Sequence, residues 1–128
     1  MSSDFVLDAG ALVAAERAGR RWVVLWDHFV RFRVVPLLPA AVVGEVWRGG
    51  PRAARIARVL AASEVVDLTH RRARAAGELC GRAGTSNPID ASVVLVATPR
   101  QATVVTSDPD DIRQLADATG VDLPIIVL

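Results

Sequence analysis

Four carboxylate side chains are spaced along the chain so that one folded sheet could bring them together. Asp8 and Asp108 each directly follow a short apolar run of the kind that forms a buried strand. Glu45 lies in the predicted helix after the second strand, and Asp90 lies in the first turn of the apolar helix that precedes the fourth strand. Because parallel strands place their carboxyl ends at one edge of a sheet, these residues are candidates for a shared site there.

A site that held all four carboxylates would need a cation. Two carboxylates about 4 Å apart repel each other by roughly 4 kcal/mol at an effective dielectric near 20. Oxygen ligands without histidine or cysteine suit Mg²⁺ or Mn²⁺ and do not suit zinc. The candidate site is therefore a hard-cation site.

Each carboxylate also has a purely structural interpretation. Asp8 and Asp108 each precede a predicted helix and can cap it, and Asp90 can interact with the dipole of its own helix. Glu45 can pair with Arg48 on the same helix, a contact usually worth a few tenths of a kcal/mol. Taken together these interpretations weaken, because Asp8 follows an apolar run and Glu45 is embedded in one, and such carboxylates are rarely buried unless paired.

Apolar strands and amphipathic helices alternate along the chain. The predicted strands cover residues 5–7, 34–38, 64–68, 102–106 and 124–128. The predicted helices cover residues 10–18, 21–32, 39–48, a segment opened by Pro51, 70–83, 88–98 and 109 to about 118. This alternation predicts an α/β fold with a mostly parallel sheet that is covered by helices on both faces, in a single domain over residues 1–128.

Three helices carry apolar residues at helical spacing. The first set could form a base-stacking platform, but core or a dimer face is the favoured interpretation: Trp22, Leu25, Trp26, Phe29 and Val30. The second set is predicted to face inward, opposite Arg52, Arg55 and Arg58: Ala53, Ile56, Ala57 and Leu60. The third set is a narrow stripe of small residues: Ala73, Ala76, Cys80 and Ala83.

The composition excludes several function classes. The chain has 128 residues, a net charge of +1 and no lysine, so RNA binding would depend on local arginines. The absent lysine argues against a response-regulator receiver domain, and His28 and His70 lie in different helices, which argues against a histidine-based ribonuclease. A single cysteine, Cys80, and the lack of a run long enough to span a membrane predict a cytoplasmic protein.

The order and spacing of the four acids resemble those of PIN-domain nucleases, in particular the VapC-type toxins of bacterial toxin–antitoxin pairs. The resemblance covers essentially the whole chain and rests on four segments: residues 6–12 (VLDAGAL), 39–46 (PAAVVGEV), 89–91 (IDA) and 104–108 (VVTSD). Two positions depart from the pattern of the family. Gly10 stands where a hydroxyl residue is frequent, and Asn87 stands where an acidic residue is more common.

The resemblance implies a three-layer α/β/α fold and a magnesium-dependent endoribonuclease that an antitoxin neutralises. Asp8 and Asp90 would be the main metal ligands, Glu45 would bind the metal directly or through water, and Asp108 would complete the set. Three auxiliary residues are also indicated: Thr106, Ser107 and Asp111. Manganese could replace magnesium, with one ion or two.

The arginines and the resemblance also predict partners for this chain. Arg48, Arg52 and Arg55 follow Glu45 and are expected to form part of the RNA-binding rim, although a solvated helix face explains them equally well. A cognate antitoxin whose tail covers the pocket is implied by the resemblance, and a homodimer through the helix of Trp22 to Val30 is a further expectation. The alternative function is a catalytically inactive PIN-fold module that binds RNA or protein.

Overall fold

A five-stranded parallel sheet forms the centre of the molecule. The computed structural model describes residues 4–128. Its strands are β1 (Phe5–Leu7), β2 (Leu37–Pro39), β3 (Glu64–Val66), β4 (Thr103–Thr106) and β5 (Ile125–Val127). They are all parallel, in the order β3-β2-β1-β4-β5. The prediction of an α/β fold with a parallel sheet is confirmed.

Helices lie on both sides of this sheet. They are α1 (Ala9–Glu16), α2 (Arg20–Arg31), α3 (Ala40–Val46), α4 (Ala54–Ala61), α5 (His70–Ala83), α6 (Pro88–Ala97) and α7 (Pro109–Thr119), with short 3₁₀ turns at Pro51–Ala53 and Thr98–Arg100. Helix α1 packs against α2, α3 and α4, whereas α5, α6 and α7 pack against one another. Within residues 4–128 the result is the expected three-layer α/β/α arrangement.

The two central strands position the candidate site. In β1 and β4, Leu7 lies opposite Val105, and both side chains are fully buried. The backbone N–H of Asp8 donates to the Val105 carbonyl at 3.2 Å, so the pairing continues one residue beyond β1. Asp8 and Thr106 therefore leave the sheet side by side at its carboxyl edge.

Prolines shift the second strand from its predicted position. Pro36 precedes β2, and its carbonyl accepts a hydrogen bond from the N–H of Glu64 at 2.9 Å. Pro39 is the last residue of β2 and the residue before α3, with φ −61° and ψ 135°. Because proline has no N–H to donate, Pro36 joins the pairing only through its carbonyl, and the strand itself begins at Leu37. The helix ends at Val46 and not at residue 48, because Trp47 has an extended backbone.

Three of the predicted apolar faces were partly wrong. Val30 is 64% exposed, and only Trp22 and Phe29 of its stripe are buried. Ala57 is exposed and Val59 is buried in its place, because the 3₁₀ turn before α4 starts the buried face at three-residue spacing. Ala73 is likewise exposed, and the stripe of α5 is completed by Leu79.

The aromatic residues of α2 belong to the core. Trp22 and Phe29 are buried, and Trp26 stacks on Trp22 with their ring centroids 5.6 Å apart. The core interpretation of this stripe is confirmed over the base-stacking platform, since neither buried ring can receive a base. None of the helices in residues 4–128 is both long and apolar enough to cross a lipid bilayer.

Candidate active site

Asp8 ends the central strand and caps the helix that follows it. Its backbone is extended, and its Oδ1 accepts a hydrogen bond from the N–H of Ala11 at 2.9 Å. The structural interpretation of this carboxylate as a helix cap is thus correct. The side chain is also buried, with 5% of its surface exposed. Burial raises the pKa of Asp8, and the Glu45 charge adds to this, while the Thr106 hydroxyl and the N–H groups of Ala11 and Gly10 oppose it.

Thr106 links the two strand ends. It is fully buried at the end of β4, and its Oγ1 accepts a hydrogen bond from the N–H of Asp108 at 2.9 Å. The same hydroxyl lies beside the Asp8 carboxylate and stabilises its charged form. Thr106 therefore fixes the turn into α7 and supports Asp8, which gives this predicted auxiliary residue a structural role.

Asp108 occupies the residue before α7 without capping the helix through its side chain. The capping interpretation of Asp108 is therefore wrong. Its carboxylate is exposed and raises the pKa of Asp111, which lies one turn along the helix. Asp110 forms an ion pair with Arg113 at 3.8 Å, and its charge contributes less than that of Asp108 to the raised pKa of Asp111.

Asp90 is held at the start of α6 by Asn87. The Asn87 Oδ1 accepts from the N–H groups of Ile89 and Asp90 at 3.1 Å, and its Nδ2 donates to Asp90 Oδ2 at 3.0 Å. This direct contact between Asn87 and Asp90 was not predicted. The signal was available in the Asn-x-x-Asp spacing, which is that of a capping box. Asn87 therefore holds the Asp90 carboxylate in position.

The surroundings of Asp90 disfavour its charged form. Partial burial raises the pKa of Asp90 to about 6, and the charges of Asp8, Asp111, Glu45 and Asp108 contribute in that order. The four charges that raise this pKa are all carboxylates. Asp90 therefore lies among the other acids of the site.

Glu45 differs from its prediction in two respects. It is exposed, whereas its apolar neighbours in α3 indicated burial. It also forms no ion pair with Arg48 in the part of the chain that the structure describes; the Arg48 Nη1 donates instead to the carbonyls of Trp47 at 2.9 Å and Gly44 at 3.4 Å. The extended backbone at Trp47 breaks the helical geometry that such a pair requires. Glu45 nevertheless faces the site, since its charge raises the pKa of both Asp8 and Asp90.

The structure thus brings the predicted acids within electrostatic reach of one another. The set comprises Asp8, Glu45, Asp90, Asp108 and Asp111. Their oxygens and their mutual repulsion fit a hard divalent cation, which would relieve the repulsion. As arranged in residues 4–128, no three His, Cys, Asp or Glu side chains form a ready coordination group.

The predicted arginines divide into two groups. Arg48 and Arg52 line a hollow of about 460 Å³ beside the end of α3. Arg55 is not among its lining residues, and its Nη1 donates to the carbonyl of Glu16 at 2.9 Å. Two of the three arginines therefore share one surface close to the helix that carries Glu45.

A family model identifies the family to which this chain belongs. The model described as "PIN domain" matches residues 5–118, which include all five acids. The chain belongs to the PIN domain family. No curated protein shows significant sequence similarity to it. Because the match covers all five acids, they can be interpreted together as residues of a PIN domain.

Solved structures share the fold of this PIN domain at low sequence identity. One is VapBC2 from Rickettsia felis bound to a DNA fragment from their promoter, with 14% identity, a TM-score of 0.70 and 98% of each chain covered. Another is FitAB bound to the IR36 DNA fragment, with 14% identity, a TM-score of 0.67, and 96% of this chain and 94% of that chain covered.

A third similar structure is PAE2754 from Pyrobaculum aerophilum. Its identity is 18% and its TM-score is 0.62, with 92% of this chain and 86% of that chain covered. The three structures agree on an arrangement that spans nearly the whole chain.

Proposed function

We propose that this PIN domain is a Mg²⁺-dependent endoribonuclease and the toxin of a type II toxin–antitoxin pair. The observation that carries the proposal is the position of the acids at the carboxyl edge of the sheet, where Asp8 directly follows β1 and where burial, followed by the charges of four other carboxylates, raises the pKa of Asp90. Titratable groups perturbed by like charges within one site are typical of functional sites. Membership of the PIN domain family supports a nuclease, and the VapBC2 and FitAB structures support the toxin assignment.

The acids have distinct proposed roles. Asp8 and Asp90 would hold the ion, since they are the more buried and are fixed by Ala11 and Asn87. Glu45 and Asp108 are exposed and would contribute through water or after a side-chain rotation. When bound, Mg²⁺ or Mn²⁺ would supply Lewis acidity to the attacking water and to the scissile phosphate. Attack by water predicts products with a 5′-phosphate and a 3′-hydroxyl.

Arginines would bring the substrate to an otherwise repellent pocket. The acids repel phosphate, so cationic side chains at the rim must offset that repulsion. Arg48 and Arg52 are suited to this role because they line the same hollow, and Arg52 is exposed. Arg55 contributes charge from the adjacent turn of α4.

The test is RNA cleavage by the wild type and by Asp8→Asn, with Mg²⁺ and with EDTA. We expect cleavage only for the wild type with Mg²⁺. Asp117→Asn is the matched control, because Asp117 is an exposed acid of α7 away from the site. Cleavage that survives both EDTA and Asp8→Asn would refute the metal nuclease. RNA binding without cleavage under every condition would favour the inactive binding module.

The toxin assignment makes a separate prediction about a partner. An antitoxin tail that covers the pocket, with an arginine among the acids, would offset the same charge as the ion. We expect the product of the neighbouring gene to co-purify with this protein and to suppress cleavage. A chain that is harmless on induction and retains no such partner would contradict the toxin role.

A homodimer is proposed as well, with one change to the surface first expected. Trp22 and Phe29 lie in the core, so they are not available to a second copy. The exposed apolar residues of the same helix are Val23, Val24 and Val30. Light scattering of the purified protein tests the dimer, and Val24→Asp tests this surface.

A further inference from the structure

Gly10 and Ser107 compete for one space at the candidate active site. A Cβ on residue 10 would overlap the Ser107 Oγ, and it would lie 3.0 Å from both the Cβ and the backbone N of Ser107. The Ser107 side chain therefore projects over the backbone of Gly10 and fills the place of the side chain that residue 10 lacks. Glycine is required here by this close approach, since its own backbone conformation is helical.

That space borders the acids of the site. The N–H of Gly10 interacts with the Asp8 carboxylate, and Ser107 lies between Thr106, which supports Asp8, and Asp108. The two neighbouring hydroxyls differ in use. The Thr106 Oγ1 is occupied by the N–H of Asp108, whereas the Ser107 hydroxyl makes no hydrogen bond to any residue between 4 and 128. Ser107 is also exposed to solvent.

We propose that the Ser107 hydroxyl is an outer ligand of the site, which hydrogen-bonds to a water molecule of the hydrated divalent ion. Ser107 lies directly after β4 and places this hydroxyl over the backbone of Gly10. The inference rests on the proposed function, because it assumes a cation at the acids. Its physical basis is that hydroxyls both donate and accept, so they can orient the water of a hard cation that retains part of its hydration shell.

The primary test measures Mn²⁺ binding without RNA, by calorimetry, for the wild type and Ser107→Ala. We expect the dissociation constant to rise about tenfold or more, as for other residues that orient a ligand of a metal site. The melting temperature without metal should not change, because Ser107 is exposed. Ser63→Ala is the control, since it removes a hydroxyl that bonds to the Val59 carbonyl at 2.6 Å, remote from the acids. Equal Mn²⁺ affinity for wild type and Ser107→Ala would overturn the inference.

A second experiment moves the hydroxyl between the two positions. The paired substitution Gly10→Ser with Ser107→Gly should recover most of the lost affinity, whereas Gly10→Ala with Ser107→Gly should not. Failure of the Gly10→Ser pair, when folded, to bind Mn²⁺ better than the Gly10→Ala pair would count against a hydroxyl at this place. If the backbone N of Ser107 prevents the pairs from folding, Ser107→Ala alone decides.

Cleavage assays separate this inference from the proposed function. At limiting Mn²⁺, Ser107→Ala should cleave RNA about tenfold more slowly than the wild type, and the difference should shrink as the Mn²⁺ concentration rises. A wild type that binds and cleaves, together with an indistinguishable Ser107→Ala, would refute only the role of Ser107. A wild type that neither binds Mn²⁺ nor cleaves RNA would refute both.

Discussion

At the scale of single residues, Asp8 has two separable roles. Its oxygen caps α1 through the N–H of Ala11, and its charge belongs to the acidic site. Asparagine caps as well as aspartate does, whereas alanine does not cap. We therefore expect Asp8→Ala to lower the free energy of unfolding by about 1 kcal/mol relative to Asp8→Asn, measured by urea denaturation in EDTA. Both variants lack the charge, so equal stabilities would show that the cap contributes nothing.

Asp90 gives the site a dependence on pH. Because its folded pKa is about 6 and its usual value is 3.8, the folded state binds more protons than the unfolded state between these values. Its contribution to stability therefore falls as the pH rises from about 4 through 6. Without metal at pH 7.5, we expect Asp90→Asn to be more stable than the wild type by about 1–2 kcal/mol, after a discount for solvent screening. The measurement is urea denaturation.

The difference between Asp90→Asn and the wild type should vanish below pH 4, where the wild-type carboxyl is neutral. Asparagine keeps an oxygen that can accept from Asn87, so the helix start is preserved. Asp117→Asn controls for the loss of an exposed acid. A stability gain that is independent of pH would assign the effect to packing and not to charge.

At the scale of elements, the junction of β4 and α7 depends on Thr106. Thr106→Val keeps the shape of the side chain but leaves the N–H of Asp108 without its partner, so we expect a loss of about 1–2 kcal/mol in urea denaturation. The pKa of Asp8 should also rise further, because the Thr106 hydroxyl lowers it. Carboxyl titration followed by NMR measures that shift.

Thr98→Val is the matched control for Thr106→Val. The Thr98 hydroxyl donates at 2.7 Å to the Val94 carbonyl, which already accepts a backbone N–H. Its loss leaves no group without a partner, so a change within about 0.5 kcal/mol is expected. Equal losses for the two variants would remove the special role of the β4–α7 junction.

The elements also show how far local sequence information reaches. Alternation of strands and helices sufficed for the parallel sheet and for placing Asp8 at its carboxyl edge, because both follow from local periodicity. β2 begins three residues later than predicted because Pro36 has no N–H to donate, a limit that the local rule for proline in strands contains. The pairing of Glu45 with Arg48 was wrong because α3 ends at Val46, two residues earlier than predicted. The burial of Glu45 was wrong because its side of α3 is exposed, which the apolar sequence of the helix does not reveal. The contact of Ser107 with Gly10 joins two distant segments, and so no local pattern contains it.

At the scale of the whole molecule, a net charge of +1 leaves RNA binding to local patches. Arg52 is exposed beside the hollow near α3. We expect Arg52→Ala to weaken RNA binding and to reduce the slope of log affinity against log salt by about 0.7 if one phosphate contact is lost to single-stranded RNA. Fluorescence anisotropy at several salt concentrations measures both effects.

Arg74→Ala is the control for Arg52→Ala, because Arg74 is an exposed arginine of α5 in the opposite helical layer. It removes the same charge from the molecule. If both variants weaken binding equally, total charge and not the patch near α3 governs the attraction of RNA.

The burial of Cys80 allows the opening of α5 to be followed by the labelling rate of its thiol. It is the only cysteine of the chain, and its thiol is enclosed in the core beneath α5. A thiol-reactive dye can reach it only during transient detachment of that helix, so the labelling rate reports how often the α5–α7 layer opens. A divalent ion held by Asp90 should slow this labelling, because Asp90 belongs to α6, which packs directly against α5.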